Sequence, residues 1–375
     1  MVKFLQAERG QALVIMVFAI IGLLVMLGLA IDGGTVFLER RRMQNAADAA
    51  ALAGTRLLAE AICGDPGADD AAIAAEVNGY AESNGVEDPD NNATADYVDF
   101  DEVVLGRVGD GTIPNGATGI SATVEINRPT YFMTLVGIDT AGASADALAM
   151  TGPPLLAGGM RPFGIPLQVM QQTPVGDCFT ISFKNCDDNK PDDCLIKDDN
   201  GDTIGHHRNW LNLNHVWNQG ENPNFPRATG SSGNANDLKD WMENGWDGTL
   251  YADCFWSEGC QWGDFIHAKP GTNSSPIGHV PINTAFFVPI FDIVPHYDQI
   301  PEPKAGSVPQ GSNYYYHIVG FAAVRVPTGG DANQGGGTIR ACVEEVIMGE
   351  GQPSPNTGFG SDACATHTMV VSLWR

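Results

Sequence analysis

Residues Ala12–Ile31 read ALVIMVFAIIGLLVMLGLAI, and every one is apolar or glycine. At about 1.5 Å of rise per residue, a helix of this length reaches about 30 Å, the hydrocarbon thickness of a bilayer. A buried helix of a soluble protein is generally interrupted by a polar face, so hydropathy marks this stretch as a transmembrane helix with the lipid bilayer as its partner. The competing reading is a cleaved signal peptide, with Lys3 and Arg9 as its basic region and Gly28-Leu29-Ala30 as a small-x-small site. Signal-peptide cores run to about 7–15 residues, and the chain beyond Ile31 reads as continued helix. Length therefore favours the anchor.

The chain has 375 residues, with 20 Lys and Arg against 45 Asp and Glu, a formal net charge of −25. Such a surface repels a nucleic-acid duplex, so nucleic-acid binding is excluded. The charge is uneven. Residues 1–62 hold six bases and five acids, while all eight cysteines and nearly all of the acidic excess lie beyond them. With 45 Gly and 23 Pro, the chain is also rich in loops. Orientation pulls two ways. Arg40, Arg41 and Arg42 follow the span and outnumber Lys3 and Arg9 before it, which taken alone places the C-terminal side in the cytoplasm. Eight thiols confined to one side fit an oxidising exterior better, and long domains translocate largely regardless of flanking charge. A cytoplasmic N-terminus (1–11) and an extracytoplasmic remainder are therefore expected.

Beyond the span, residues 37–62 contain no Pro and one Gly, and the Ala-rich part favours helix. Met43, Ala47, Ala50, Gly54, Leu57, Leu58 and Ala61 share one face of small residues. That face packs either on its own domain or on a helix of a partner subunit. A second helix is expected over Pro66–Asn84, capped by Asp65, with Ile73, Val77 and Tyr80 as its apolar face and Asn84-Gly85 as its stop. Alternation then indicates strands at Asp96–Leu105 and Gly119–Asn127, a short helical segment at Thr130–Val136, and a small-residue strand at Thr140–Met150.

The run Glu8-Arg9-Gly10-Gln11-Ala12-Leu13, the apolar span, Ala30-Ile31-Asp32-Gly33-Gly34, and the block Gln44-Asn45-Ala46-Ala47-Asp48 through Gly54 together resemble the TadG-like N-terminal domain. That domain belongs to the TadE/TadG-like family of Flp (tight adherence, Tad) pilus assembly. Val124–Phe132 and Ala141–Met150 resemble the end of its small pseudopilin-like domain, so the resemblance covers about residues 7–151. It implies a bitopic envelope protein with its N-terminus inside, no enzymatic activity and no cofactor. It also implies pilin or other Tad pilus-assembly subunits as partners. A cut after Gly10 places Ile15, rather than Glu, at the fifth position of a processed prepilin, so the chain departs from that pattern. It also contains no Asp-x-Ser-x-Ser metal string of the kind carried by longer family members.

Residues 152–160, rich in Gly and Pro, read as a linker into a C-terminal region over 161–375. Short apolar runs at Phe179–Phe183, Thr284–Val294, Tyr314–Val326 and Thr338–Met348 indicate a β-rich domain with long loops. The fold class is thus α+β: a transmembrane helix continuing into a pseudopilin-like α+β domain over 32–151, then a β-rich domain. Cys178, Cys186, Cys194, Cys254, Cys260, Cys342 and Cys364 lack the CxxC spacing of zinc sites and are read as disulfide partners, with Cys254–Cys260 the nearest local pair. Asp198, Asn200 and Asp202 alternate like a calcium loop, but Thr203 and Asn209 stand where that loop needs Gly and Glu. A solvated acidic loop is the simpler account, and no metal is assigned. The eight histidines are scattered without HExxH spacing, and no GxSxG or GxxxxGK[ST] string occurs. Trp210, Trp217, Trp241, Trp246, Trp256 and Trp262 cluster in sequence and serve either as core anchors or as a binding face. The leading reading is a non-enzymatic pilus-assembly component. The alternative is a membrane-anchored surface binding protein or adhesin that uses the Trp-rich region, and an anchored hydrolase is the third.

Overall fold

The computed structural model describes residues 8–86, 93–184, 194–207, 209–217, 234–252, 264–269, 274–299, 314–349, 353, 364 and 366–374. A single helix, α1 (Glu8–Ile62), carries both the apolar run and the Ala-rich block. It contains no proline, and at about 1.5 Å per residue its length is about 80 Å. Along Ala12–Ile31 the side chains are mostly exposed; Phe18 is 70% and Met26 78% accessible. The core helix of a soluble protein would bury such residues. This helix is long and apolar enough to cross a membrane and fits a single-pass anchor. Past Asp32 its character changes, and Met43, Ala46, Ala47, Ala50, Ala51 and Leu58 are fully buried.

The chain divides into two compact units, one comprising 1–57, 67–149 and 373–375, the other 58–66 and 150–372. In the first, α1 is joined by α2 (Asp70–Ser83) and the strands β1 (Ala93–Val98), β2 (Val104–Arg107), β3 (Gly119–Pro129) and β4 (Thr140–Gly152). Within this unit the sheet order is β4-β3-β1-β2. Burial alternates along β3, with Ile120, Ala122, Val124 and Ile126 facing the core, as a half-buried sheet requires.

Three local expectations are corrected. Helix α2 begins at Asp70 instead of Pro66, because the Asp69 side chain accepts from the Ala72 amide and so takes the cap assigned to Asp65. Tyr80 is 48% accessible, and Ala81 takes its place beside Ile73 and Val77 on the buried face. The stretch Asp96–Leu105 is two strands rather than one, because the Asp99 carboxylate accepts from the amides of Asp101 and Val103 and folds the chain back as a hairpin.

The second unit contains β5 (Leu156–Gly158), β6 (Ile165–Pro166), α3 (Leu167–Gln172), β7 (Cys178–Ser182), β8 (Leu195–Asp198), β9 (Thr203–His206), β10 (Trp210–Trp217), α4 (Ala235–Asn244), β11 (Thr249–Tyr251), β12 (Phe265–Lys269), β13 (Ala285–Phe291), β14 (Tyr315–Arg325), β15 (Ala332–Asn333), β16 (Thr338–Glu344), β17 (Val346–Met348) and β18 (Thr368–Trp374). The last residues of β18 group with the first unit. Among the described residues a sheet runs in the order β10-β12-β14-β16-β7-β8-β9, with β13 also paired to β14. β14 is buried over its first ten residues, consistent with its all-apolar run from Ile318 to Val324. Phe163, Phe179, Val288, Phe321 and Val343 are among the residues that fill the core. Residues 156–158, within the expected linker, form β5 and pair with β11.

Two disulfides are resolved in this unit. Cys178–Cys342 joins directly paired positions of β7 and β16. Cys63–Cys364 closes a separation of 301 residues and ties the end of α1 to the C-terminal region. Cys194 is disulfide-bonded as well. Cys186, Cys254 and Cys260 lie outside the described residues, so the expected Cys254–Cys260 pair does too. Of the tryptophans, Trp210 is fully buried and stacks on Phe183 at 4.0 Å, and Trp241 is buried, so these two are core anchors. Trp256 and Trp262 lie outside the described residues.

Beside this stack sits His207. Its Nε2 donates to the Ser182 carbonyl at 2.9 Å while its Nδ1 accepts from the Asn209 amide at 3.0 Å. That pairing requires the neutral ring. Burial pushes the pKa down to about 4 from 6.5. The unfolded chain therefore takes up a proton below about pH 6.5 that the folded chain refuses until about pH 4. The contribution of His207 is fully present above the first value and fades as pH falls towards the second, by on the order of 3 kcal/mol at most. An NMR titration of the folded protein should find the His207 ring neutral at pH 5; a midpoint above 6 contradicts this assignment.

Candidate functional site

The buried face of α1 runs further towards the span than the Ala-rich block. Gly28, Asp32, Glu39, Met43, Ala47, Ala50 and Gly54 follow at steps of four, seven, four, four, three and four, which keeps them on one side of a 3.6-residue helix. This side meets the β3–β4 hairpin and α2. At its outer end, Gly54 sits where a Cβ would lie 2.6 Å from Val77 Cγ2 and 2.9 Å from Ile120 Cδ1. The small residue there permits the close approach of helix to helix and sheet. The small-residue face thus packs on its own unit, the first of the two readings given above.

At the inner end is Asp32, one residue past the apolar run and only 4% accessible. Its Oδ1 accepts from the Tyr131 amide at 3.0 Å, and its Oδ2 accepts from the amides of Phe132 and Met133 at 2.9 and 2.7 Å. These donors open the short 3-10 helix Met133–Val136 in the β3–β4 connection. A buried carboxylate is costly unless its lone pairs are filled, and charge-assisted bonds to three amides fill them. One helical turn earlier, a Cβ on Gly28 would stand 2.6 Å from Phe132 Cβ. Gly28 admits the loop and Asp32 holds it.

Further along, the contacts become weaker. Arg128 Nε lies 3.9 Å from Glu39 Oε1, a partly exposed pair worth little by itself. Gln44 Nε2 donates to the Asp146 carbonyl at 3.2 Å and to Asp48 Oδ1 at 2.9 Å. The buried Thr55 hydroxyl donates to the Ala149 carbonyl. The residues that carry the resemblance therefore divide by role. Asp32, Ala46, Ala47 and Gly54 are buried, Gln44 and Asp48 bond at the rim, and Asn45 is exposed. The side chains of Arg9, Gly10 and Gln11 lie outside the description.

A second buried acid repeats the device. Asp70 accepts from the Tyr97 hydroxyl at 2.8 Å and from the amides of Gly109 and Gly111 at 2.9 and 2.6 Å. Burial acts to raise its pKa, but these three donors outweigh it and hold the carboxyl below the usual range. The positive φ of Gly109 and Gly111 is the backbone state that turns both amides inward. Asp70 thus fastens α2 to β1 and to the turn after β2.

The calcium-like triplet occupies the β8–β9 turn. Asp198 accepts there from the Asp202 amide at 2.8 Å and from Asn200 Nδ2 at 3.3 Å, so its oxygens serve the turn itself. Among the described residues, no group of three or more His, Cys, Asp and Glu side chains is placed to hold a metal ion. The clasp at Asp32 is a mechanical joint between an apolar helix and a folded unit. Sequence reading marked Asp32 only as a motif residue. The signal available was an acid placed four residues after a glycine, at the end of a long apolar run.

Residues 10–61 match the family model described as "Putative Flp pilus-assembly TadE/G-like". The match lies wholly within α1 and takes in the N-terminal part of the resemblance read over about residues 7–151. No curated protein matches the chain, and neither does any solved structure.

Replacing Asp32 with Asn leaves one carbonyl oxygen for three amides and sets an NH2 against at least one of them. Asp32→Asn should destabilise the N-terminal unit by about 2–3 kcal/mol, and Gly28→Leu by about 1–3 kcal/mol through overpacking against Phe132. Denaturant unfolding in detergent micelles measures both. A change below about 0.5 kcal/mol in Asp32→Asn contradicts the role given to this carboxylate.

Proposed function

We propose that this chain is a non-enzymatic, single-pass membrane component of a Tad/Flp-type pilus-assembly apparatus, contributing to assembly or anchoring. The observation that carries the reading is the coincidence of the family match with α1. That helix is apolar and exposed over one half and clasped into a folded unit over the other. A helix built in this way transmits position from the membrane to a small α+β domain, which is what an assembly subunit requires of its anchor. Its partners on this reading are the bilayer and pilin or other assembly subunits.

The N-terminus is placed in the cytoplasm and the two folded units outside. The disulfides Cys63–Cys364 and Cys178–Cys342 support that orientation, because such bonds persist in oxidising compartments. The cluster Arg40–Arg42 opposes it, but long domains cross largely regardless of such charges. Burial of Trp210 and Trp241 removes two of the aromatic residues on which a binding-face reading relied.

Deletion of the gene should abolish or shorten the pili, scored by electron microscopy and restored by the full-length chain. Pili of normal number and length, with only surface adhesion reduced, would overturn the assembly role in favour of a surface binding protein.

A further inference from the structure

We propose that the tip of the β3–β4 hairpin is a second membrane contact, inserted among the lipids at the level where α1 leaves the hydrocarbon. This rests on α1 being a membrane anchor. Thr130–Ile138 reads TYFMTLVGI, nine residues without a charge in a strongly acidic chain. Tyr131 is 72% accessible and Ile138 44%, so the unit itself leaves the tip uncovered at these two apolar positions.

The tip is also a built structure. The Thr130 amide donates to the Asp139 carbonyl at 3.0 Å, the Ile138 amide donates to the Met133 carbonyl at 3.0 Å, and the Thr130 hydroxyl donates to the Ile138 carbonyl. Gly137, at φ +84°, makes the reversal.

Its depth follows from the clasp. Phe132 packs on Gly28, which lies three residues, or about 4.5 Å of helix rise, before the end of the apolar run. The amides of Tyr131, Phe132 and Met133 bond to Asp32, just beyond that end. If Ala12–Ile31 spans the bilayer, the tip lies between these two levels, at the boundary of hydrocarbon and headgroups. Tyrosine is enriched at that boundary because its ring is apolar and its hydroxyl is wet. The occupant of this patch is therefore lipid, by continuity with the spanning helix. A single helix leaves its domain free to tilt and rotate. A second contact one strand connection away fixes both.

The test is photocrosslinking of the full-length chain in cell membranes, with a benzophenone amino acid at one position at a time. Leu24 reports the span. Tyr131 and Ile138 report the tip. Val104, 59% accessible, reports water. It is linked through Val98 to the Gly119 end of β3, ten residues or about 33 Å of strand from Pro129. Phospholipid adducts are expected at Leu24, Tyr131 and Ile138 and absent at Val104, read by mass spectrometry. Lipid adducts at Leu24 with only protein adducts, or none, at both tip positions would overturn the inference and leave the anchor standing. Absence of lipid adducts at Leu24 would remove the anchor, and the inference with it. Tyr131 and Ile138 are both accessible, so one variant that fails to accumulate leaves the other to decide.

Discussion

A buried carboxylate needs hydrogen-bond donors, because burial takes water away and makes an unfilled lone pair costly. Asp32 finds all of its described donors in three consecutive backbone amides of a distant loop. The interaction works in both directions. The acid is satisfied by donors that no rotamer change can withdraw, and the loop is held at one height on the helix. The first unit builds outward from that fixed point. β3 arrives at the clasp, β4 departs from it, and the stripe from Glu39 to Gly54 lies on the same side of α1. Residues along that stripe are small where packing is closest, as at Gly54, and beside it the polar side chains of Gln44 and Thr55 donate to carbonyls of β4.

The second unit is stabilised by different means. Its central strand β14 is apolar on both faces, and covalent links join positions far apart in the chain. Cys63 stands at the end of the long helix, so one of these links begins where α1 stops. Acid handling recurs as a theme. Asp32, Asp70, Asp99 and Asp198 each spend their oxygens on backbone amides of a turn or loop. This gives structural work to part of the acidic excess and explains why nearby acids need not signal metal binding.

Much of the architecture was legible because it depends on local periodicity. The apolar run and its helical continuation, the alternation of Gly119–Asn127, and the runs at Phe179–Phe183 and Tyr314–Val326 all declare themselves in contiguous stretches of the chain. What escaped depended on side chains competing locally or on partners far away. Asp99 looked like one polar position in an alternating strand, yet its carboxylate makes a turn. Pro66 suited a first helical position, yet Asp69 supplied the better cap. The clasp escaped because its donors lie about a hundred residues from Asp32 and are backbone groups, which carry no sequence signature. The partners of Cys63 and Cys178 were hidden for the same reason of distance.

The most direct test of the clasp is amide hydrogen exchange of the intact protein in lipid nanodiscs, followed at Tyr131, Phe132 and Met133. If Asp32 accepts from all three, these amides exchange as slowly as the paired amides of β3, although they sit in a loop. Exchange at the rate of an open loop, in protein whose β3 amides remain protected, would contradict the account.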